Sequence, residues 1–153
     1  MTKRRVRILV WGTLVVLTTA FIWGQSTLDQ TDSLAESDAV GGWLSTLLGT
    51  VLSEEFRTVW LRKFAHLAEY GLLGIEWEFL RRELEPRRFR RWPVAAIGVA
   101  TAVIDEMVLQ RLSRRGSLWS DVLIDSVGLA AGLAVAAGIG FWLTRRRAAR
   151  NKE

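Results

Sequence analysis

The chain lacks cysteine and has a single histidine, His66, and both shortages restrict its chemistry. Without cysteine it forms no disulfide, thiolate nucleophile or cysteine-ligated zinc or iron–sulfur site. One histidine excludes a metal site built on two or three histidines of one copy. Two prolines in 153 residues exclude a proline-rich or collagen-like chain. From these counts we expect no cofactor and no dedicated metal site.

Apolar residues are abundant, at 50% of the chain, and the charges that separate them are bunched. The uncharged run 8–24 has 17 residues and spans roughly 26 Å at 1.5 Å per residue, close to the ~30 Å hydrocarbon core. Further apolar runs at 94–104 and 122–143 predict two more membrane-spanning helices. A cleaved signal peptide is the alternative for the first run, although no A-x-A cleavage pattern follows it.

The distribution of charge predicts a fourth span at 60–80, which hydropathy alone would reject. Basic residues collect at both termini, so both should be cytoplasmic, which requires an even number of crossings. Segment 81–92 holds six arginines against two glutamates, whereas 25–59 is mostly acidic and should be external. The alternative is two or three spans with a peripheral helix.

Apolar residues within 43–60 recur at helical spacing and predict an amphipathic helix at the outer interface. We therefore predict an all-α fold: a four-transmembrane-helix bundle with an additional external amphipathic interfacial helix. The chain, 1–153, forms one domain in this prediction. Its helices lie at about 6–24, 43–58 (interfacial), 60–80, 93–111 and 119–143.

Ionisable groups at membrane depth are costly and are therefore candidates for function. In the predicted topology they gather on the external side of three helices. The predicted ligand-binding residues are Lys63, His66, Glu69, Tyr70, Asp105, Glu106, Arg115, Asp121 and Asp125. Candidates for catalysis are His66, Asp105 and Glu106. The alternatives are an ion-pair network that locks the bundle, or a small wet cavity without chemistry.

Other polar residues and the glycines receive structural interpretations. Glu76 and Glu78 have helical spacing to Arg81 and Arg82, so we expect ion pairs there and no function. Glycines at four-residue spacing favour close helix contact. Gly128 and Gly132 have this spacing, and Gly71 and Gly74, three residues apart, can do the same for the helix at 60–80.

Two stretches carry a family resemblance. The first stretch is Arg62-Lys63-x-x-His66-x-x-Glu69-Tyr70-x-x-Leu73-Gly74. The second consists of Asp105-Glu106, then Arg115, then Asp121-x-x-x-Asp125-x-x-Gly128-x-x-x-Gly132. Together with FIWGQS at 21–26, their order and spacing resemble the VanZ-like integral membrane proteins. The resemblance implies a bacterial membrane protein associated with teicoplanin resistance. Where that family usually has glutamine, this chain has Leu109, and we expect Gln110 to turn away from the cluster.

Three functional hypotheses remain open. The preferred one is a binding protein whose outward-facing polar site holds a cell-envelope lipid, a peptidoglycan precursor or a glycopeptide-related ligand. The second is a membrane enzyme that uses His66 and carboxylates on a lipid-linked envelope substrate, where the same groups can also hold a divalent cation. The third is a structural or regulatory partner of other membrane proteins.

The expected location is the bacterial cytoplasmic membrane, crossed several times, with membrane lipids as partners. Nucleic acid is not expected as a partner, although the net charge is +5. The basic residues flank the predicted spans, where topology and anionic lipid already account for them.

Overall fold

The computed structural model describes residues 2–28, 30–84, 91–112 and 119–150, and every element within them is helical. The predicted all-α class is therefore confirmed. Two π-helical turns occur, Phe56–Trp60 directly before the third helix and Asp105–Leu109 within the fourth. The five helices are α1 Lys3–Ser26, α2 Gln30–Leu48, α3 Leu61–Glu83, α4 Arg91–Leu112 and α5 Trp119–Arg150.

Three of these helices, α1, α4 and α5, are long and apolar enough to cross a membrane. Large apolar side chains such as Leu9 and Leu17 of α1, and Leu123 and Val127 of α5, are more than half exposed. Apolar surface of this extent is rare on soluble monomers and suits contact with lipid chains. The three helices indicate a membrane protein. Helix α3 is too charged to meet the same criterion.

Helix α3 is nevertheless the centre of the molecule, because α1, α4 and α5 all pack against it. Its contact with α5 is the most extensive one, and glycines make it close. A Cβ atom on Gly132 would collide with the carbonyl oxygen of Gly71, and one on Gly128 with that of Leu67. The predicted packing role of these glycines agrees with that geometry.

The ends of the helices show that neighbours run in opposite directions. Arg4 at the start of α1 donates through Nε to the carbonyl oxygen of Glu83 at the end of α3, at 2.9 Å. Arg7 makes a 2.9 Å ion pair with the Glu83 carboxylate. Arg91 at the start of α4 lies 3.6 Å from Glu78 of α3. Basic residues of three helices therefore share one end of the bundle.

The predicted helix at 43–58 is wrong in its bounds. Helix α2 begins at Gln30 and ends at Leu48, because Gly49 adopts a left-handed φ of 63° that ends the helix. The Thr50 amide then bonds the Ser45 carbonyl at 3.1 Å, which satisfies a carbonyl of the last turn. The apolar pattern of 43–60 is consequently divided between α2 and the π-helical turn before α3.

Candidate functional site

A cluster of one imidazole and three carboxylates lies where α3, α4 and α5 meet. We call His66, Asp105, Glu106 and Asp125 the acid–histidine cluster. Each offers one ligand atom, and these four atoms all lie within 4.8 Å of one another. The three acidic residues have no exposed surface, and the His66 side chain is 14% exposed. Residues that are distant in sequence therefore form one buried polar site.

The π-helical turn of α4 presents two consecutive acids to the interior. Neighbours in an α-helix point about 100° apart, so they usually face different surroundings. Here Asp105 lies beside Ser26 of α1 and Tyr70 of α3. Glu106 instead faces His66 and Asp125. Both acids remain buried because α1 and α3 cover Asp105, while α3 and α5 cover Glu106. Turns of this kind are frequent at functional sites.

Most oxygen atoms of the cluster have no hydrogen-bond partner among the described residues. This holds for both carboxylate oxygens of Asp105 and Asp125 and for Oε2 of Glu106. His66 Nδ1 lies 3.4 Å from Asp125 Oδ1, but the angles do not make a hydrogen bond. Buried polar atoms normally find partners, and each one left without costs about 1–3 kcal/mol. The cluster therefore has capacity for a ligand.

Gln110 is a site residue that the sequence analysis excluded. It has no exposed surface, and its side-chain amide donates to Oε1 of Glu106. The expectation that it turns away was wrong, because residues four apart share a helix face and the π-helical turn preserves that relation. The sequence signal that could have identified Gln110 as a site residue is its four-residue spacing from Glu106.

Two basic residues of α3 form a rim above the cluster. Lys63 Nζ lies 3.2 Å from Asp121 Oδ1, and Arg62 lies 3.7 Å from the other oxygen of Asp121. Both basic side chains are 31% exposed. The cleft beneath them is only about 10 Å³, which suits one water molecule or one ion. Its lining is Arg62, Lys63, His66, Asp121, Ile124 and Asp125.

The remaining predicted site residues fall into three groups. Tyr70 is fully buried, and its hydroxyl lies beside the Asp105 carboxylate without a hydrogen bond of good geometry within the described ranges. Glu69 is partly buried and lies close enough to His66 and Asp105 to interact electrostatically. Arg115 lies outside the described residues. The structure thus brings together every predicted site residue that it describes.

Comparison of the chain with protein-family models, with characterised proteins and with solved structures finds no match.

A second ionic group lies at the opposite, basic end of the bundle. Glu78 is fully buried and accepts two bonds from Arg81, at 2.7 and 2.9 Å, and one from Arg82 at 3.1 Å. Arg82 also donates to two α5 carbonyl groups, those of Ala136 and Ala137. These contacts agree with the predicted ion pairing of Glu78.

Glu76 differs from its prediction. It accepts a 2.9 Å hydrogen bond from the Thr18 hydroxyl of α1 and pairs with neither Arg81 nor Arg82 in the described contacts. Side chains two residues apart in an α-helix point about 200° apart, so Glu76 faces α1 while Glu78 faces the arginines. Its residue-level exposure is only 4%. Glu76 therefore joins α3 to α1.

The acid–histidine cluster is capable of two kinds of chemistry. An imidazole beside carboxylates can transfer protons as a general acid or base. The same nitrogen and oxygen atoms can also coordinate a cation. The Glu78 group has its acid saturated by arginines and suits a structural role.

Proposed function

We propose that the chain is a VanZ-like integral membrane protein of the bacterial cytoplasmic membrane that holds an anionic cell-envelope ligand at its outward end. In this proposal α1, α3, α4 and α5 are four spans, α2 lies at the outer interface, and both termini are cytoplasmic. The alternating helix directions support it. So does the position of Arg4, Arg7 and Arg91 at one shared end, as the positive-inside rule requires.

The observation that carries the proposal is the partly exposed basic rim above a buried acidic cluster. Lys63 and Arg62 share one carboxylate, that of Asp121, so two positive charges face one negative charge. Both basic side chains are 31% exposed while that of Asp121 is 10% exposed, so an incoming anion can reach them from outside and compete with Asp121. Arginine and lysine at such a position suit phosphate or carboxylate groups.

The size of the cleft restricts how a ligand binds. About 10 Å³ is too small for a lipid headgroup, so a phosphate or carboxylate would sit on the rim. The chemistry fits a membrane lipid with an anionic headgroup, a peptidoglycan precursor or a glycopeptide-related molecule. A link to teicoplanin resistance follows from the family resemblance alone.

Topology mapping tests the placement of the site. Reporter fusions near residue 30 and within residues 113–117 should report the outside, and a fusion within residues 85–90 should report the cytoplasm. If reporters near residues 30 and 85 fall on the same side of the membrane, the fourth span and the outward-facing site are both rejected.

Ligand binding is tested with the purified full chain in a neutral detergent. The probes are a short-chain phosphatidic acid and a phosphatidylcholine with the same acyl chains. We expect preference for phosphatidic acid, and Lys63→Gln should weaken its binding about fivefold, since one charge near a lipid surface contributes about 1 kcal/mol. Lys3→Gln is the matched control at the other end. Equal effects of the two substitutions would reject the rim as the binding surface.

Resistance is tested in cells. Expression in a susceptible Gram-positive host should raise tolerance of teicoplanin more than tolerance of vancomycin, and Lys63→Gln should reduce the gain. An unchanged teicoplanin response in cells that make the protein would remove the resistance link while leaving lipid binding to its own assay.

An enzymatic function is the second candidate, and the proximity of His66 to Asp125 favours it. Turnover of a lipid-linked envelope intermediate by purified protein, lost in His66→Ala, would establish it.

A purely structural or partner-binding role predicts a different result. Exchanging Lys63 and Asp121 should then restore both folding and function, whereas a ligand site would not recover.

A further inference from the structure

We propose that the acid–histidine cluster is a binding site for a single divalent cation. This inference goes beyond the headgroup ligand and does not depend on it, because the ion occupies the buried cluster and the headgroup the rim. The sequence predicts no dedicated metal site because it has no cysteine and one histidine, although the enzyme hypothesis allowed these groups to hold a divalent cation. Folding brings them together.

The distances fit one ion. Four ligand atoms within 4.8 Å of one another can surround a common centre. Oxygen ligands on opposite sides of a calcium ion are about 5 Å apart, and those of smaller ions about 4 Å. The observed spread therefore suits a larger ion directly, and a smaller ion requires the most widely separated ligand atoms to approach by about 0.8 Å.

The unused donor atoms point toward a ligand independently of the acidic composition. Asp105 and Asp125 have no exposed surface, and none of their four carboxylate oxygens accepts a hydrogen bond of good geometry from the described residues, although Ser26 and Tyr70 adjoin Asp105 and His66 adjoins Asp125. His66 Nδ1 is also without one and faces Asp125 at 3.4 Å. A cation between these atoms would satisfy all of them at once.

Charge leads to the same conclusion. Ionised carboxylates in a low-dielectric interior repel one another and need a nearby positive charge. Lys63 and Arg62 are engaged with Asp121 at the rim rather than with the buried acids. When the three carboxylates are ionised, a dication offsets two of their charges, and His66 is the basic side chain that contacts them among the described residues.

The set of donors restricts the kind of ion. One imidazole nitrogen with carboxylate oxygens suits borderline cations such as Zn²⁺ or Mn²⁺ better than Mg²⁺, which prefers oxygen alone. Gln110 has the role of an outer-shell partner. By donating to Oε1 of Glu106 it fixes that carboxylate and leaves Oε2 for the ion. The narrow cleft of about 10 Å³ is lined by two members of the cluster, His66 and Asp125.

The test uses the full chain, purified in detergent with a histidine-free affinity tag and stripped with a chelator. It is equilibrated with Zn²⁺ or Mn²⁺ and desalted, and bound metal is counted by mass spectrometry. We expect about one ion per chain, as a single four-ligand cluster holds one ion. The same ion should raise the melting temperature in a concentration-dependent manner.

Isosteric substitutions locate the ion. Asp105→Asn and Asp125→Asn should each reduce retention more than about tenfold, because each removes a charged ligand. Glu76→Gln is the matched control, a buried carboxylate outside the cluster. If an Asn variant fails to fold, the wild-type melting shift and the retention of His66→Gln decide instead. The proposal would be overturned if the wild type retained no ion and showed no shift in melting temperature. It would also be overturned if folded cluster variants retained as much ion as Glu76→Gln.

Discussion

The close contact between α3 and α5 makes Gly132→Ala a sharp test of the packing. The added methyl group would meet the backbone of Gly71 and the amide nitrogen of Ile75, neither of which can rotate away. Overpacking of this kind costs about 1–3 kcal/mol, and rigid backbone favours the upper value. Alanine recovers up to ~1 kcal/mol through helix propensity. The expected net loss is about 2 kcal/mol, or roughly 30-fold in the unfolding constant.

Gly138→Ala in the same helix is the matched control, since a Cβ atom there meets nothing within 4 Å. Both variants are unfolded with denaturing detergent in mixed micelles and followed by tryptophan fluorescence. Gly138→Ala should equal or slightly exceed the wild type in stability. If Gly132→Ala is as stable as Gly138→Ala, the close contact between the two helices is refuted.

Three further predictions concern individual side chains. Glu78→Gln leaves the buried Arg81 without its carboxylate and should lower the free energy of unfolding by about 3–5 kcal/mol, measured by the same detergent titration. Thr18→Val removes the hydroxyl that Glu76 accepts from, and we expect a loss of about 1–3 kcal/mol by that titration. Gln110→Leu should weaken cation retention about 10- to 100-fold, measured by equilibrium dialysis, while the fold persists.

Each of these predictions has its own control. Glu83→Gln removes an ion pair to Arg7, whose side chain is 58% exposed, so its effect should stay below about 1 kcal/mol. Thr144→Val removes a hydroxyl that bonds only backbone carbonyls of its own helix. For Gln110, unchanged ion affinity in a folded variant would contradict its role in orienting Glu106.

The long apolar helices were predictable because hydrophobic length is a local property of the sequence. The runs at 8–24 and 122–143 identify α1 and α5 directly. Helix α2 was misplaced because its first half, from Gln30, is polar and lacks apolar periodicity. Its end at Gly49 depends on one backbone angle, which a glycine permits but does not dictate.

The members of the site were predictable as costly residues, but their contacts were not. Spacing placed Lys63 and His66 on one face of α3. It did not show that Lys63 meets Asp121 while His66 meets Asp125, because those pairs depend on the register of two helices. Gln110 was excluded from the site because it lies one position after the residue where the family has glutamine. Its spacing of four from Glu106 nevertheless favoured a shared helix face.

The dependence of α3 on α5 has a consequence for biosynthesis. The ribosome makes α3 well before α5, yet Gly128, Gly132 and the carbonyl groups that receive Arg82 all belong to that last helix. A nascent chain stopped before residue 119 therefore exposes the side of α3 that packs against α5 in the folded bundle. We expect such truncated chains to be held by the insertion machinery or degraded, and mature protein to appear only after translation reaches the C-terminal helix.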